Sequence, residues 1–81
     1  IFFFETSRNI HKVILHAKDR QIEFYGTMKE LTSTLGDNFV RCHRSFLVNK
    51  NNIKELDVKN RIIHFTNGET CLMSTRMMKG L

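Results

Sequence analysis

The feature that most constrains the fold is a succession of short apolar runs, each ended by polar residues, with no proline anywhere in the chain. In one run, Ile22 and Phe24 alternate with polar residues, which is typical of a half-buried strand. The runs occupy residues 2–4, 13–17, 21–25, 39–42, 45–48, 53–58, 61–65 and 70–73. They predict a mostly β fold built from small antiparallel sheets.

Polar dipeptides between these runs predict hairpin turns. They lie at residues 18–19, 59–60 and 67–68. The last is Asn67-Gly68, and Asn-Gly is the strongest short-range hairpin signal. A final helical turn is predicted at residues 75–81.

One segment is predicted to be helical. Thr27 and Glu30 have the spacing of a capping box, in which the Thr27 hydroxyl accepts from the Glu30 amide and the Glu30 carboxylate reaches back to the Thr27 amide. Apolar residues then recur at Met28, Leu31 and Leu35, and Gly36 suits a left-handed C-terminal position. A helix of only about nine residues with an acidic start is a poor major-groove reader and a good lid for one sheet.

Size and charge narrow the function. With 81 residues, 41% of them hydrophobic, the chain forms one small domain whose thin core leaves little room for a deep substrate pocket, so we expect no enzyme activity and no cofactor. The net charge of +5 and pI of 9.6 fit nucleic-acid binding, but ordinary solubility charge explains them as well. Residues 8–12 and 41–50 hold five basic residues and no acid.

The start of the chain, IFFFE, already resembles a strand, so we expect residues 1–81 to be an N-terminally truncated domain of a longer protein. It lacks the features of a signal peptide, and no apolar run approaches membrane-spanning length. We expect a cytoplasmic protein with reduced thiols and no membrane partner.

The adjacent Cys42 and His43 raise the question of a nucleophile or a metal site. Neighbouring side chains of a strand point to opposite faces, which argues against a catalytic pair, and the spacing of Cys42 and Cys71 fits no zinc motif. We expect no metal, and a Cys42–Cys71 disulfide stays an open alternative. His16 and His64 are predicted to be surface or half-buried residues.

The stretch around these residues, 39–49, also suggests phosphate binding. Arg41, Arg44, Ser45 and Asn49 are residue types that donate to phosphate oxygens. A solvated basic edge strand that prevents sheet aggregation explains them equally well.

The pattern as a whole resembles the LytTR DNA-binding domain of accessory-gene-regulator-type response regulators. The resemblance rests on FVRCHRSFLVN at 39–49 followed by Ile53, FFE at 3–5 with His11 six residues after Glu5, RQIEFYG at 20–26, and Cys71 five residues before Arg76. It covers nearly the whole chain.

The resemblance implies a ten-stranded fold, with its first strands before Ile1, that reads DNA with loops. Its base-contacting positions match His11, Arg76 and Arg44, although Arg44 could instead contact phosphate. Positions facing the DNA backbone match Ser7, Lys12, Arg41, Ser45 and Lys79, and Arg8 and Lys50 are added on charge alone. Cys42 and Cys71 resemble an oxidation-sensitive pair.

The predicted function is therefore sequence-specific binding of double-stranded DNA by the output domain of a two-component transcription regulator in peptide quorum sensing. The implied partners are promoter direct repeats, a second copy on DNA, and a receiver domain. The alternative is a protein-interaction module that docks through residues 2–4 and the Phe24-Tyr25 face. RNA binding is a third possibility, with Tyr25 the ready stacking residue.

Overall fold

A computed structural model describes residues 1–77. In this range the chain forms eight strands, one α-helix and one 3-10 turn. The strands are β1 (Phe3–Thr6), β2 (Lys12–His16), β3 (Gln21–Tyr25), β4 (Phe39–His43), β5 (Phe46–Asn49), β6 (Ile53–Asp57), β7 (Ile62–Phe65) and β8 (Thr70–Leu72). The helix α1 (Met28–Thr34) follows β3, and the 3-10 turn η1 (Lys50–Asn52) follows β5. Each predicted run overlaps a strand, so the mostly β prediction is confirmed.

Five strands form one antiparallel sheet in the order β3-β2-β1-β5-β4. The central strand is β1, in which Phe4 lies opposite Leu15 of β2 on one side and Leu47 of β5 on the other. Phe3 and Phe4 point to opposite faces, and both are buried. A strand covered on both faces has a continuous apolar run and not an alternating one, which explains the phenylalanines at residues 2–4.

Helix α1 covers one face of this sheet, as predicted. Met28 is buried with Phe4, Val13 and Leu47, and Leu31 and Leu35 pack against them. The strand β3 at the edge is less covered than its alternation predicted. Phe24 is half-buried there, but Ile22 is 40% exposed.

The ends of α1 differ in how well they were predicted. At the start, the Thr27 hydroxyl accepts from the Glu30 amide at 3.2 Å, as predicted. The Glu30 carboxylate accepts from the Thr27 hydroxyl at 2.9 Å in place of the predicted bond from the Thr27 amide. At the end, the prediction of a left-handed Gly36 is wrong, because among the glycines of residues 1–77 only Gly68 has a positive φ. Leu35 caps the helix with an extended backbone (φ −84°, ψ 143°), and the helix has seven residues.

The strands β6, β7 and β8 form a second antiparallel sheet, which covers the other face of the first. Their shared core contains Phe2, Phe3, Cys42, Val48, Ile63, Phe65, Cys71 and Met73. The turn at Asn67-Gly68 is confirmed, with Gly68 at φ 90°. The turn between β6 and β7 places Arg61 at φ 58°. In residues 1–77 no helix has the length and apolarity to cross a membrane.

The two sheets are also joined by His16, and the prediction of a surface or half-buried histidine is wrong for it. His16 is 6% exposed and stacks on the Phe3 ring at 4.1 Å. Its Nε2 contacts Glu5 of β1 at 2.8 Å, and its Nδ1 contacts Glu69 of the β7–β8 turn at 2.9 Å. Each ring nitrogen thus lies within hydrogen-bond distance of one carboxylate, and the two carboxylates come from different sheets.

Candidate nucleic-acid interface

The β1–β2 loop (residues 7–11) has a defined backbone. The Ser7 amide donates to the Lys12 carbonyl at 3.1 Å, and the Lys12 amide donates back to Asn9 at 3.3 Å. His11 lies in the left-handed region at φ 62°, where its carbonyl accepts from the Gly26 amide at 2.8 Å. Histidine is among the non-glycine residues found more often in this region. The loop thus presents an exposed His11 side chain from a fixed position.

A carboxylate of β3 holds the first half of this loop. Glu23 accepts hydrogen bonds from the Ser7 hydroxyl and, at 2.9 Å, from the Asn9 side-chain amide. The Ser7 oxygen in turn accepts from the Asn9 amide at 3.0 Å. These bonds from Ser7 and then Asn9 lower the pKa of Glu23. The family resemblance implied a contact from Ser7 to the DNA backbone, but the Ser7 hydroxyl proton is directed at Glu23.

The turn between β4 and β5 (residues 44–45) is braced from within. The Arg41 guanidinium donates to the Arg44 carbonyl at 2.7 Å and to the His43 carbonyl at 3.4 Å. The Ser45 amide donates to the His43 ring at 3.1 Å, and the Ser45 carbonyl accepts from Thr6 at 3.0 Å. Arg41 thus supports this turn, and the Arg44 side chain is exposed.

These segments meet at an open groove of about 470 Å³, called here the basic groove. It is lined by residues 6–13, residues 26–28 and Arg44. The Lys12 ammonium lies 4.7 Å from the centre of the Tyr25 ring, within range of a cation–π contact. Five of the predicted DNA-contacting residues are therefore brought together: Ser7, Arg8, His11, Lys12 and Arg44.

Arg76 lies on a separate segment after β8 that is attached to β4. The Ser74 amide donates to the Cys42 carbonyl at 2.6 Å, and a turn follows in which Met77 donates to Ser74 at 3.0 Å. Arg76 is exposed on this turn. Cys42 therefore connects the two arginines. Arg44 follows it by two residues in sequence, and Arg76 follows its hydrogen-bond partner Ser74 by two residues. Lys79 lies outside the described residues.

Lys50 is not brought to the basic groove. It begins η1 at the far end of β5 from Ser45, where its amide donates to the Asn38 carbonyl at 2.8 Å. A strand advances ~3.4 Å per residue, so β5 separates Lys50 from the turn at 44–45 by roughly 15 Å.

The two cysteines lie together in the core behind the turn at 44–45. Their sulfur atoms are 4.0 Å apart, both thiols are free, and both residues are buried. A hydrogen bond from Cys71 lowers the pKa of Cys42, whereas the same contact and burial raise the pKa of Cys71. Cys42 is also the bulge residue of β4, between Arg41 and His43. In residues 1–77 no group of three His, Cys, Asp or Glu side chains is arranged to hold a metal ion.

Sequence reasoning missed Glu23 and Asn9 as parts of this site. Ser7 and Asn9 have the spacing of a side-chain turn, which could have been noticed. Glu23 could not, because its approach to the loop depends on the register that sets Ile14 opposite Glu23. Exposed Tyr25 was considered only for protein docking and for RNA stacking.

Comparison with known proteins adds family and structural relationships. The sequence model of the LytTr DNA-binding domain family matches residues 1–81. Accessory gene regulator protein A of Staphylococcus epidermidis is 51% identical over 79 residues, and that of Staphylococcus aureus is 53% identical over 79 residues. Each match covers 98% of this chain and 33% of the relative, so the chain spans about a third of these proteins. A solved LytTr DNA-binding domain from Bacillus cereus superposes with a TM-score of 0.81 at 28% identity, covering 95% of this chain and 72% of that one.

Proposed function

The chain belongs to the LytTr DNA-binding domain family, and from this premise we propose that it reads double-stranded DNA by sequence through loops. The observation that carries the proposal is the convergence of separate segments on the basic groove. His11 comes from the β1–β2 loop, Lys12 begins β2, and Arg44 comes from the β4–β5 turn, yet all three line one open surface. Polar and basic side chains on hydrogen-bonded loops suit contact with DNA, because binding then loses little conformational entropy of the loop backbone.

Base reading falls to the exposed side chains that the backbone presents. An arginine fork can bond O6 and N7 of guanine, and this suits Arg76 and Arg44. A neutral His11 can donate to a purine N7. The cations Arg8 and Lys12 are assigned to phosphate, which fixes the orientation of the domain on the duplex. For Arg41 we propose support of the Arg44 turn, since its guanidinium donates to the carbonyl of Arg44 and to that of His43, the residue just before the turn.

The surroundings of helix α1 support a loop-based and not a helix-based mode. Its apolar stripe is turned to the sheet, with Met28 buried. Lys29 is its only basic residue. A seven-residue helix is about 10 Å long, so few of its side chains could reach base edges along a DNA major groove.

We propose the wider setting on the strength of the relatives. The whole protein would be a cytoplasmic transcription regulator of the accessory-gene-regulator type in peptide quorum sensing. A receiver domain outside residues 1–81 would control the assembly of two copies on promoter direct repeats.

The test is selection of duplexes from a random-sequence pool, followed by gel shifts of the selected duplex and a scrambled one at two salt concentrations. We expect one preferred sequence, and we expect Arg44→Ala to weaken its binding by about 5–150-fold. Arg20→Ala is the matched control, because it removes the same charge from the β2–β3 turn.

A pool that remains random would contradict sequence-specific reading. No retained complex at physiological salt would instead favour the interaction module. Its suggested docking strand is unsuited to that role, because Phe2, Phe3 and Phe4 are 8%, 2% and 4% exposed.

The adjacent thiols support a second proposal, that oxidation controls reading. Peroxide would take one proton and one electron from each of Cys42 and Cys71, which joins the sulfurs and yields water. The movement of Cys42 would disturb both the Arg44 turn and the Ser74 contact that precedes Arg76. We expect peroxide to abolish specific binding and dithiothreitol to restore it. Cys71→Ser should resist peroxide, and equal sensitivity of this variant would exclude the pair as the cause.

A further inference from the structure

Glu23 is an exposed carboxylate beside the loop that carries Arg8 and leads into Lys12. An acid in this place repels phosphate and weakens binding to any DNA. Its contacts suggest what offsets this cost. It accepts from the Ser7 hydroxyl and from the Asn9 side chain, and both donors belong to the β1–β2 loop.

The three residues form a closed network. Glu23 accepts from Ser7, the Ser7 oxygen accepts from the Asn9 amide, and the Asn9 side chain returns to the same Glu23 oxygen. Asn9 also carries the carbonyl that accepts from the Lys12 amide, directly after His11. Fixing Asn9 therefore fixes the two ends of the short segment that holds His11.

We infer that Glu23 is a positioning residue for DNA reading, whose carboxylate holds the β1–β2 loop in the conformation that presents His11. The inference rests on the proposed function and extends it to a residue that does not itself touch a base. It also assigns Ser7 to the support of the loop and not to a phosphate.

This role has a signature that a plain surface charge lacks. Removing Glu23 removes repulsion, which strengthens binding to every duplex, and it also loosens the loop, which weakens binding to the preferred duplex alone. We expect Glu23→Ala to lower the ratio of specific to non-specific affinity by roughly tenfold, with scrambled DNA bound slightly more tightly.

Three variants separate geometry from charge. Glu23→Gln loses the charge but keeps an acceptor oxygen, so it should retain most of the affinity ratio. Ser7→Ala keeps the charge and loses the link, so it should lower the ratio without gaining affinity for scrambled DNA. Glu55→Ala is the matched control, because Glu55 is an exposed carboxylate on β6 of the other sheet.

The measurements are dissociation constants for the selected and scrambled duplexes, and heteronuclear NOE values for amides 7–12 of the free domain. In Glu23→Ala those amides should become more mobile, with the rest of the spectrum unchanged. The double variant of Glu23 and Ser7 should be no worse in affinity ratio than the more affected single variant, because both break one network.

The inference is overturned if Glu23→Ala shifts affinity for both duplexes equally, as Glu55→Ala should. It is also overturned if Ser7→Ala weakens both duplexes alike, which is the behaviour of a phosphate contact. In either case, a wild-type domain that still prefers its selected duplex leaves the proposed function intact. A wild-type domain without preference overturns both.

Discussion

The two ends of strand β2 place a histidine in opposite environments. His11, just before the strand, is exposed on a loop whose backbone is hydrogen-bonded. His16, the last residue of the strand, is buried between Glu5 and Glu69 and stacks on Phe3. The His11 ring is exposed to solvent, whereas the His16 ring joins the two sheets through its two nitrogens. The same residue type is therefore proposed to contact DNA at one end, and it joins two sheets at the other.

The largest expected effect is at the buried end. His16→Ala removes a stacked ring and leaves two carboxylates without their partner, which should lower the free energy of unfolding by about 3 kcal/mol. We take the lower part of the range for buried pairs because the Glu5 and Glu69 side chains are 36% and 33% exposed. Urea titration measures the change. His11→Asn is the control, because asparagine also tolerates the left-handed φ of 62° at this position. Its expected change is within about 0.5 kcal/mol, and equal values for both variants would contradict the difference between the two ends.

The next effect belongs to the exposed end. His11→Ala and Arg76→Ala should each cost about 1–3 kcal/mol of binding to the selected duplex and relax one base position. Arg76→Ala should not change the unfolding midpoint, because its side chain is exposed. Competition binding with single-base substitutions measures this. If Arg76→Ala lost equal affinity on specific and scrambled DNA, its assignment as a base reader would be wrong.

A smaller effect is expected from the lysines at the two ends. Lys12→Ala should weaken all duplexes alike and reduce the slope of log K against log salt by about one. Lys18→Ala, in the turn after His16, should leave the slope unchanged. A similar loss of slope in both variants would mean that the contact surface extends along the whole strand.

The smallest effect concerns the pH dependence of loop order. Because hydrogen bonds from Ser7 and Asn9 lower the pKa of Glu23 in the folded state, their contribution to loop order is present above its ordinary value of 4.5. It is lost as the pH falls through the lowered value. Carboxyl NMR titration should find the pKa of Glu23 closer to 4.5 in Ser7→Ala than in the wild type. The change in Asn9→Ala should have the same direction and be smaller. An unchanged titration in Ser7→Ala would remove the hydroxyl from the network.

Much of the fold could be predicted from local patterns. The strands, the Thr27 cap and the Gly68 turn each depend on neighbouring residues, and such signals are visible in one sequence. The burial of His16 could not be predicted, because its partners Glu5 and Glu69 come from different sheets.

The candidate site likewise contains residues that the sequence could predict and residues that it could not. Residue types and family resemblance suggested His11 and Arg44, and the structure brings both to the basic groove. Lys50 was chosen on charge alone, and charge does not report that a strand separates it from that groove. Glu23 was missed because its effect passes through Ser7, in a contact that only the strand register creates.

The central place of β1 bears on how the chain assembles during synthesis. Its two neighbours are β2, which follows at once, and β5, which ends at Asn49. Until translation has passed that residue, one side of an aromatic strand has no pairing partner, and unpaired strand edges promote aggregation. A nascent chain halted before β5 would therefore depend on the ribosome or a chaperone for protection.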